Sequence, residues 1–242
     1  MHWITGVLAL VLSLPVVAQS LDYQLGEDVY QGYFVSPGEN APLVVLVHDW
    51  DGLTAYEKQR ADMLKEMGYA VFAADLFGKD VRPTEVKDKQ QHTGDLYQDR
   101  QKMRDLTMAA ITEAGRLGAD TDNLVILGYC FGGAVALEMA RAGTDAAGFV
   151  SFHGGLSTPE GQDYSQTQGE VLVLHGAADQ MITMKEFADL AEQLAQHQVS
   201  NEMISYGGAD HAFTVFGGER YDAVADVRSW QRLTGFLASK LK

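Results

Sequence analysis

Cysteine is nearly absent from this sequence of 242 residues, which contains Cys130 alone. One cysteine cannot form an internal disulfide framework or a cysteine-based zinc site. Proline is also scarce, with five residues, and the sequence contains no low-complexity linker and no internal repeat. Basic residues are few: 18 lysines and arginines stand against 33 acidic residues, a formal net charge of −15. This charge disfavours nucleic acids and anionic membranes as partners, because both are themselves negatively charged.

The N-terminal segment is apolar and has the pattern of a secretory signal. Residues 4–14 are almost wholly apolar, and the small residues Val16, Val17 and Ala18 suit cleavage after Ala18. The apolar run is too short to cross a membrane, which takes about 20 residues. We therefore expect a signal peptide over residues 1–18, export to the periplasm or out of the cell, and no stable membrane anchor after cleavage. The alternative is a buried N-terminal helix.

The rest of the chain alternates patterns of strand and helix. With 46% hydrophobic and 21% charged residues, its composition is that of an ordinary globular protein. Strands separated by helices predict a doubly wound, mostly parallel α/β sheet in a single domain over residues 19–242. The predicted strands are residues 30–35, 43–47, 69–74, 124–127, 148–152, 171–174 and 202–206. The predicted helices are residues 54–67, 97–117, 131–142, 183–196 and 224–237, and the polar stretches 78–95 and 154–169 are expected to be surface or lid-like loops.

The motif GYCFGG at residues 128–133 directly follows a predicted strand and opens the next predicted helix. It has the form of the G-x-S-x-G nucleophile elbow, with cysteine in place of serine. The glycines allow a tight turn, from which the side chain of Cys130 projects above the edge of the sheet. A helix N-terminus stabilises negative charge, so we expect the pKa of the Cys130 thiol to be lowered. The alternative is that Cys130 is a small buried hydrophobic residue, the usual role of an unpaired cysteine.

A nucleophile of this kind needs a histidine as base and an acid that orients the histidine. In enzymes with this elbow, the order along the chain is nucleophile, acid, histidine. Asp179 and His211 each follow a predicted strand downstream of Cys130, so all three are expected at the same edge of the sheet. Two alternatives remain open. Asp179 could cap the helix that begins near Thr183, and Asp210 could serve as the acid.

Two backbone N–H groups are needed to stabilise the negative oxygen of the reaction intermediate. The elbow supplies the N–H of Phe131, the residue after the nucleophile. The loop at residues 48–52 follows an early strand, and the N–H of Trp50 is the candidate for the second donor. The same loop could be a plain strand-to-helix turn, and a divalent metal on Asp49 and Asp51 is a weaker alternative. We therefore expect neither a metal nor an organic cofactor.

These motifs resemble those of the dienelactone hydrolase family of α/β-hydrolases, over nearly all of residues 28–240. The most specific parts are GYCFGG at 128–133, LHGAADQMI at 174–182 and YGGADHAF at 206–213, supported by VHDWDGL at 47–53 and AADLFGK at 73–79. The resemblance implies a sheet of the α/β-hydrolase type. It also implies a hydrolase that attacks ester or lactone bonds through a cysteine.

The resemblance carries over residue by residue. The family's Cys–His–Asp triad falls on Cys130, His211 and Asp179, and its two oxyanion donors fall on Phe131 and Trp50. The motifs and their order along the chain favour the same five residues.

Three positions depart from the family prototype. Asp49 stands where the prototype has a glutamate that holds the resting thiol. Val215 stands where the prototype has an arginine that binds a substrate carboxylate, and residues 89–91 contain no arginine where a second one is found. With a net charge of −15, these departures lead us to expect that neutral short esters or lactones react better than anionic lactones. The arginines that could substitute are Arg82, Arg100 and Arg104.

Together these features predict an exported thiol hydrolase of small-molecule esters or lactones that is a monomer or a small homo-oligomer. The alternative is a binding or redox-sensing protein that keeps the fold without turnover. That alternative arises because a lone thiol in an oxidising compartment is open to oxidation.

We predict that the mature protein begins at Gln19 and is found outside the cytoplasm. The apolar segment before Gln19 should be removed during export, with cleavage after Ala18. Intact-mass spectrometry of the protein from its native host, combined with cell fractionation, measures both properties. A chain that retains Met1 in the soluble cytoplasmic fraction would contradict the prediction.

Overall fold

The computed structural model describes residues 19–242, so the predicted signal peptide lies outside the described residues. The strands are β1 (Gln19–Leu25), β2 (Asp28–Val35), β3 (Pro42–Val47), β4 (Ala70–Ala74), β5 (Asp120–Tyr129), β6 (Gly148–Phe152), β7 (Glu170–Gly176) and β8 (Asn201–Tyr206). The helices are α1 (Ala55–Lys65), α2 (Val86–Gln98), α3 (Arg100–Arg116), α4 (Phe131–Arg141), α5 (Met184–Gln196) and α6 (Ala223–Lys240).

All eight strands form one sheet in the order β1-β2-β4-β3-β5-β6-β7-β8. The six strands from β4 to β8 in this order run parallel to one another, and β2 and β1 are added at the β4 edge through antiparallel pairings. The prediction of an α/β fold with a mostly parallel sheet is therefore confirmed. Strands β3, β4, β6 and β7 are buried almost throughout, as is the second half of β5, which explains the apolar runs in their sequences.

Helices cover both faces of the sheet, so the core has two layers. On one face, α1 and α6 bury Leu64, Leu233 and Phe236 against the sheet. On the other face, α3 and α4 bury Leu106 and Val135, together with parts of α2 and α5. None of the helices within residues 19–242 combines the length and the hydrophobicity needed to cross a membrane.

The structure differs from the sequence prediction at three places. Strand β1 was not predicted, because half of its residues are exposed and its apolar residues are sparse. Strand β5 begins at Asp120, four residues earlier than the apolar run that indicated it. The stretch 78–95 was expected to be a loop, but most of it belongs to α2. That helix is polar and buries only Leu96, so it lacks the apolar stripe by which a helix is recognised.

The parallel strands bring the loops that follow them to one edge of the sheet. Asp49 follows β3, and Cys130 follows β5. His153 follows β6, Asp179 follows β7, and His211 lies beyond β8. In open α/β sheets, ligands bind at the carboxyl ends of the strands. The topology therefore places these five polar or ionisable residues at the edge of the sheet where ligand-binding sites are found.

We predict that Gly132→Ala strongly destabilises the protein. A Cβ atom at Gly132 would lie 2.2 Å from the carbonyl oxygen of Val47, so backbone would have to move. Overpacking of this kind costs about 1–3 kcal/mol, and we expect at least about 2 kcal/mol here. Urea unfolding of Gly132→Ala beside Gly207→Ala measures the effect, because a Cβ at Gly207 meets nothing within 4 Å. Equal stability of the two variants would contradict the prediction.

Candidate active site

Cys130 occupies a strained turn between β5 and α4. Its φ is 50° and its ψ is −111°, a backbone conformation that residues other than glycine rarely adopt. The turn is held by two backbone hydrogen bonds: Cys130 N–H donates to Phe152 O at 3.0 Å, and Gly132 N–H donates to His48 O at 3.0 Å. A Cβ at Gly128 would lie 2.1 Å from the backbone of Gly132, so the chain can pass only with glycine there. This is the geometry of a nucleophile elbow.

The three residues predicted as a triad lie in hydrogen-bond contact. Nε2 of His211 lies 3.1 Å from Sγ of Cys130, and Nδ1 of His211 lies 2.7 Å from Oδ2 of Asp179. The other carboxylate oxygen of Asp179 accepts from the N–H groups of Met181 and Ile182, at 2.8 and 2.9 Å. Burial acts to raise the pKa of Asp179, but the hydrogen bonds from His211 and Ile182 outweigh it and lower this pKa. Asp179 is therefore a fixed anion behind His211.

The rival assignments for the acid are wrong in this structure. The residue that caps α5 is Thr183, whose side chain accepts from Glu186 N–H, so Asp179 is not a helix cap. Asp210 uses Oδ1 to accept from the backbone N–H of His211 at 2.6 Å. The imidazole of His211 is bound by Asp179 instead.

The thiol of Cys130 does not have the lowered pKa that the helix N-terminus suggested. Burial and the negative charge of Asp49 raise its pKa well above the ordinary value, and the N–H groups of Phe131 and Trp50 oppose this only in part. Burial and the charge of Asp51 also raise the pKa of Asp49, to about 6. Near neutral pH, Cys130 is therefore a protonated thiol that lies beside the Asp49 carboxylate.

The predicted oxyanion donors both lie beside the sulfur of Cys130. The N–H groups of Phe131 and Trp50 each interact with it. Trp50 N–H also donates to Oδ1 of Asp49 at 2.5 Å, so the Asp49 side chain lies against one of the two donors. A carbonyl oxygen that binds to both donors must displace Asp49 from Trp50.

Two buried side chains that were not singled out from the sequence fix the loop that carries Trp50. Leu76 N–H donates to Nε2 of His48 at 3.1 Å, so Nδ1 carries the proton and donates to Asp49 O at 2.5 Å. Glu57 in the first turn of α1 accepts from Asp49 N–H at 3.3 Å and from Thr54 N–H at 2.8 Å. The loop is therefore bonded both to the segment that follows β4 and to α1.

His153 is a further neighbour of the site whose role the sequence left undefined. It is fully buried, and its ring centroid lies 5.3 Å from that of His211, nearly edge to face. Its Nε2 lies 2.9 Å from Oγ1 of Thr214, and burial lowers its pKa well below the ordinary value. His153 is therefore neutral, and its ring packs against that of His211. Its position at the end of a buried strand was the only sequence signal.

A cleft of about 320 Å³ opens above Cys130 and His211. Met181 and Val215 line it, as does the exposed Arg220, whose Nη1 lies 3.7 Å from Sδ of Met181. Arg220 was missed in the sequence because it lies in a loop with no motif around it. The arginines named as possible substitutes do not line this cleft. They are Arg82, which donates to backbone carbonyls, and Arg100 and Arg104, which pair with a buried glutamate.

The metal alternative has no support in the geometry. Asp49 is held against Cys130 and Trp50, whereas Asp51 lies 3.9 Å from Nζ of Lys89. Within residues 19–242, no three potential ligands from His, Cys, Asp and Glu come together as a metal site would require.

This strand order, with an elbow cysteine, a histidine and an aspartate at the carboxyl edge, defines an α/β-hydrolase. The chain belongs to the dienelactone hydrolase family, whose model matches residues 30–241. It is accordingly a hydrolase of the class that acts on esters or lactones of small molecules.

Individual relatives agree with this assignment. A Bradyrhizobium protein named a probable 2-oxo-3-(5-oxofuran-2-ylidene)propanoate lactonase is 27% identical over 81% of this chain and 83% of its own length. A Synechocystis protein provisionally named a carboxymethylenebutenolidase is 23% identical over 87% of this chain and 92% of its own. A crystal structure of a dienelactone hydrolase-like promiscuous phosphotriesterase from metagenomic libraries has a TM-score of 0.87 and 29% identity, covering 93% of this chain and 99% of that one.

We predict that Asp49→Asn lowers the pKa of Cys130. The Asp49 carboxylate disfavours a second negative charge beside it, so its removal should stabilise the thiolate and shift the pKa of Cys130 down. The pH dependence of iodoacetamide alkylation measures this shift. Asp51→Asn is the matched control, since it removes a nearby charge without touching the thiol, and it should move the profile much less. A profile that stays in place or moves to higher pH in Asp49→Asn would contradict the prediction.

Proposed function

We propose that this protein is an exported thiol hydrolase that cleaves small esters or lactones through Cys130, His211 and Asp179. The observation that carries the proposal is the continuous hydrogen-bond chain from the sulfur to the aspartate, at 3.1 and 2.7 Å. The N–H groups of Phe131 and Trp50 beside the same sulfur support it. Export is proposed on the sequence of residues 1–18.

The first half of the reaction forms an acyl-cysteine. Sγ of Cys130 attacks the ester carbonyl while its proton passes to Nε2 of His211, which removes the need for a resting thiolate. The carbonyl oxygen becomes negative and accepts hydrogen bonds from Phe131 and Trp50, once Asp49 has moved off Trp50. Removing one such donor in other hydrolases costs about 2.7–4 kcal/mol. His211 then protonates the leaving oxygen, the C–O bond breaks, and the alcohol departs or, in a lactone, stays attached to the acyl chain.

The second half regenerates the thiol. His211 takes a proton from a water molecule, whose oxygen attacks the thioester carbonyl and forms a second tetrahedral intermediate at the same two donors. The C–S bond breaks, the proton returns from His211 to sulfur, and the carboxylic acid product leaves. Asp179 stabilises the imidazolium in both halves without itself being protonated, because its hydrogen bonds favour the anion.

The second candidate function is a binding or redox-sensing protein without turnover. This function is supported only by the single thiol. It does not explain why His211 and Asp179 are aligned with that thiol or why two N–H donors lie beside it. The raised pKa of Cys130 also argues against a sensor, since oxidant-sensing cysteines are commonly thiolates at neutral pH. Turnover of 4-nitrophenyl acetate with and without iodoacetamide separates the two functions.

We predict that Cys130→Ala lowers kcat/KM for 4-nitrophenyl acetate by more than about 1,000-fold, because loss of the nucleophile removes the covalent route. Cys130→Ser should also be poor, since a serine hydroxyl is much less acidic than a thiol. Circular dichroism and urea unfolding check that both variants fold.

Near wild-type turnover in a folded Cys130→Ala variant would contradict the assignment. Ser151 would then be the first alternative nucleophile to test. Its hydroxyl is fully buried and lies beneath Gly133 and Gly154, where a Cβ would come within 2.6 and 2.4 Å of it. We therefore expect Ser151→Ala to keep a reactive Cys130 thiol, which alkylation by iodoacetamide measures.

A further inference from the structure

A second cavity of about 210 Å³ lies beside α4, apart from the cleft that holds His211. Its lining includes two arginines and a tyrosine. The residues that line it are Tyr97, Arg100, Ala134, Arg141, Gly155 and Ser157. We call this cavity the arginine pocket.

The charge around the arginine pocket is not balanced. Arg100, Arg104 and Arg141 all pair with the single carboxylate of Glu138, which is fully buried. Burial acts to raise the pKa of Glu138, but the arginines lower it, so it remains an anion. Three positive charges therefore share one negative charge, and within residues 19–242 none of the three arginines forms an ion pair with another carboxylate. The cluster keeps a net charge of two positive units.

Arg100 has donors left over for a ligand. Of its guanidinium nitrogens, Nη1 donates to Glu138 at 3.0 Å, and within residues 19–242 the other two have no hydrogen-bond acceptor. Its side chain is one quarter exposed, at 25%. Arg141, by contrast, is nearly buried and donates to Gln162 and Tyr164 as well as to Glu138. A planar guanidinium with free N–H groups at a cavity wall is suited to bind a carboxylate.

The arginine pocket is close to the predicted nucleophile. Ala134 N–H donates to Cys130 O at 3.3 Å, so the pocket begins one helical turn from the thiol. The ring of Tyr97 packs edge-on against Phe131, with centroids 5.5 Å apart. Burial raises the pKa of Tyr97, whereas the two guanidinium groups of the pocket act to lower it. Tyr97 therefore lies within electrostatic range of the arginines, and its ring contacts Phe131, the residue after Cys130.

The position of His211 decides which part of a substrate would reach this pocket. Because His211 must protonate the leaving oxygen, the leaving group has to lie in the cleft beside His211, Met181 and Val215. The acyl group is bonded to the sulfur of Cys130, which stands at the start of α4, so its far end is the part of the substrate free to extend along that helix.

We propose that the arginine pocket binds a carboxylate at the far end of the substrate's acyl chain, so that monoesters of short dicarboxylic acids are preferred substrates. The substrate preference rests on the proposed function, whereas the binding of an anion does not. This proposal opposes the expectation that neutral esters react best, which rested on Val215, on the lack of an arginine at residues 89–91 and on the net charge.

The substrate test compares two esters that differ by one charge. The first is the 4-nitrophenyl monoester of glutarate, and the second is the same compound with its free carboxylate capped as a methyl ester. We expect wild type to favour the anionic ester in kcat/KM. In Arg100→Gln the ratio of anionic to neutral kcat/KM should fall roughly 10-fold or more, the effect of losing a charge-assisted hydrogen bond.

Arg104→Gln is the matched control. Arg104 pairs with the same Glu138 and is similarly exposed, at 28%, but it does not line the pocket. The ratio should therefore stay within about 3-fold of wild type, because the ligand donors of Arg100 are intact. An equal fall in both variants would overturn the proposal, since it would show that the arginines act only by holding Glu138.

Binding of glutarate, measured by calorimetry without turnover, separates this proposal from the proposed function. We expect glutarate to bind wild type and Arg104→Gln, and to bind Arg100→Gln at least about 10-fold more weakly. Binding that depends on Arg100 in a protein without esterase activity would support the pocket and contradict the proposed function. Esterase activity in wild type without glutarate binding and without preference for the anionic ester would overturn the pocket, whether or not Arg100→Gln folds.

Discussion

The close approach of backbone to backbone at Gly128 and Gly132 is the constraint on which the site depends. A Cβ at either position would meet main-chain atoms at 2.1 to 2.2 Å, so the chain can turn from β5 into α4 only with glycine there. The turn forces Cys130 into a left-handed conformation and presents its sulfur at the edge of the sheet. It also lets Gly132 N–H reach His48 O, which fixes the loop of Trp50 against the elbow. One steric requirement therefore positions both the sulfur and the second N–H donor.

Asp49 links this geometry to the state of the thiol. The same carboxylate lies beside Cys130, raises the pKa of the thiol and accepts a hydrogen bond from the N–H of Trp50. The resting site is therefore blocked and uncharged at sulfur, and a substrate carbonyl has to displace Asp49 before the donors can act. A protonated thiol reacts slowly with oxidants. The contact between Asp49 and Cys130 therefore has two effects. It protects from oxidation a thiol that is proposed to work after export, and a substrate must displace Asp49 before catalysis can begin.

The sequence predicted the site residues that lie in local motifs. It did not predict the properties that depend on contacts between distant parts of the chain. The elbow, Asp179 and His211 could be placed because each follows a recognisable apolar strand, and parallel strands share one edge. The pKa of Cys130 was predicted in the wrong direction, because burial and the charge of Asp49 outweigh the helix N-terminus. The arginine pocket was also out of reach. It depends on Arg100 meeting Glu138, 38 positions away in the chain, across the contact between α3 and α4.

The net charge of the protein and the local charge of the arginine pocket act at different distances. A net charge of −15 repels an anionic substrate during its approach, but at 0.1 M salt this repulsion is screened beyond about 10 Å. Inside the pocket the excess of two positive charges is partly shielded from solvent, and screening there is weak. The net charge therefore affects mainly the rate at which substrate reaches the protein, whereas the arginines affect which substrate binds in the pocket. The net charge of the protein therefore does not indicate which substrates it prefers. That preference depends on a few charges beside the bound substrate, and they contribute little to the net charge.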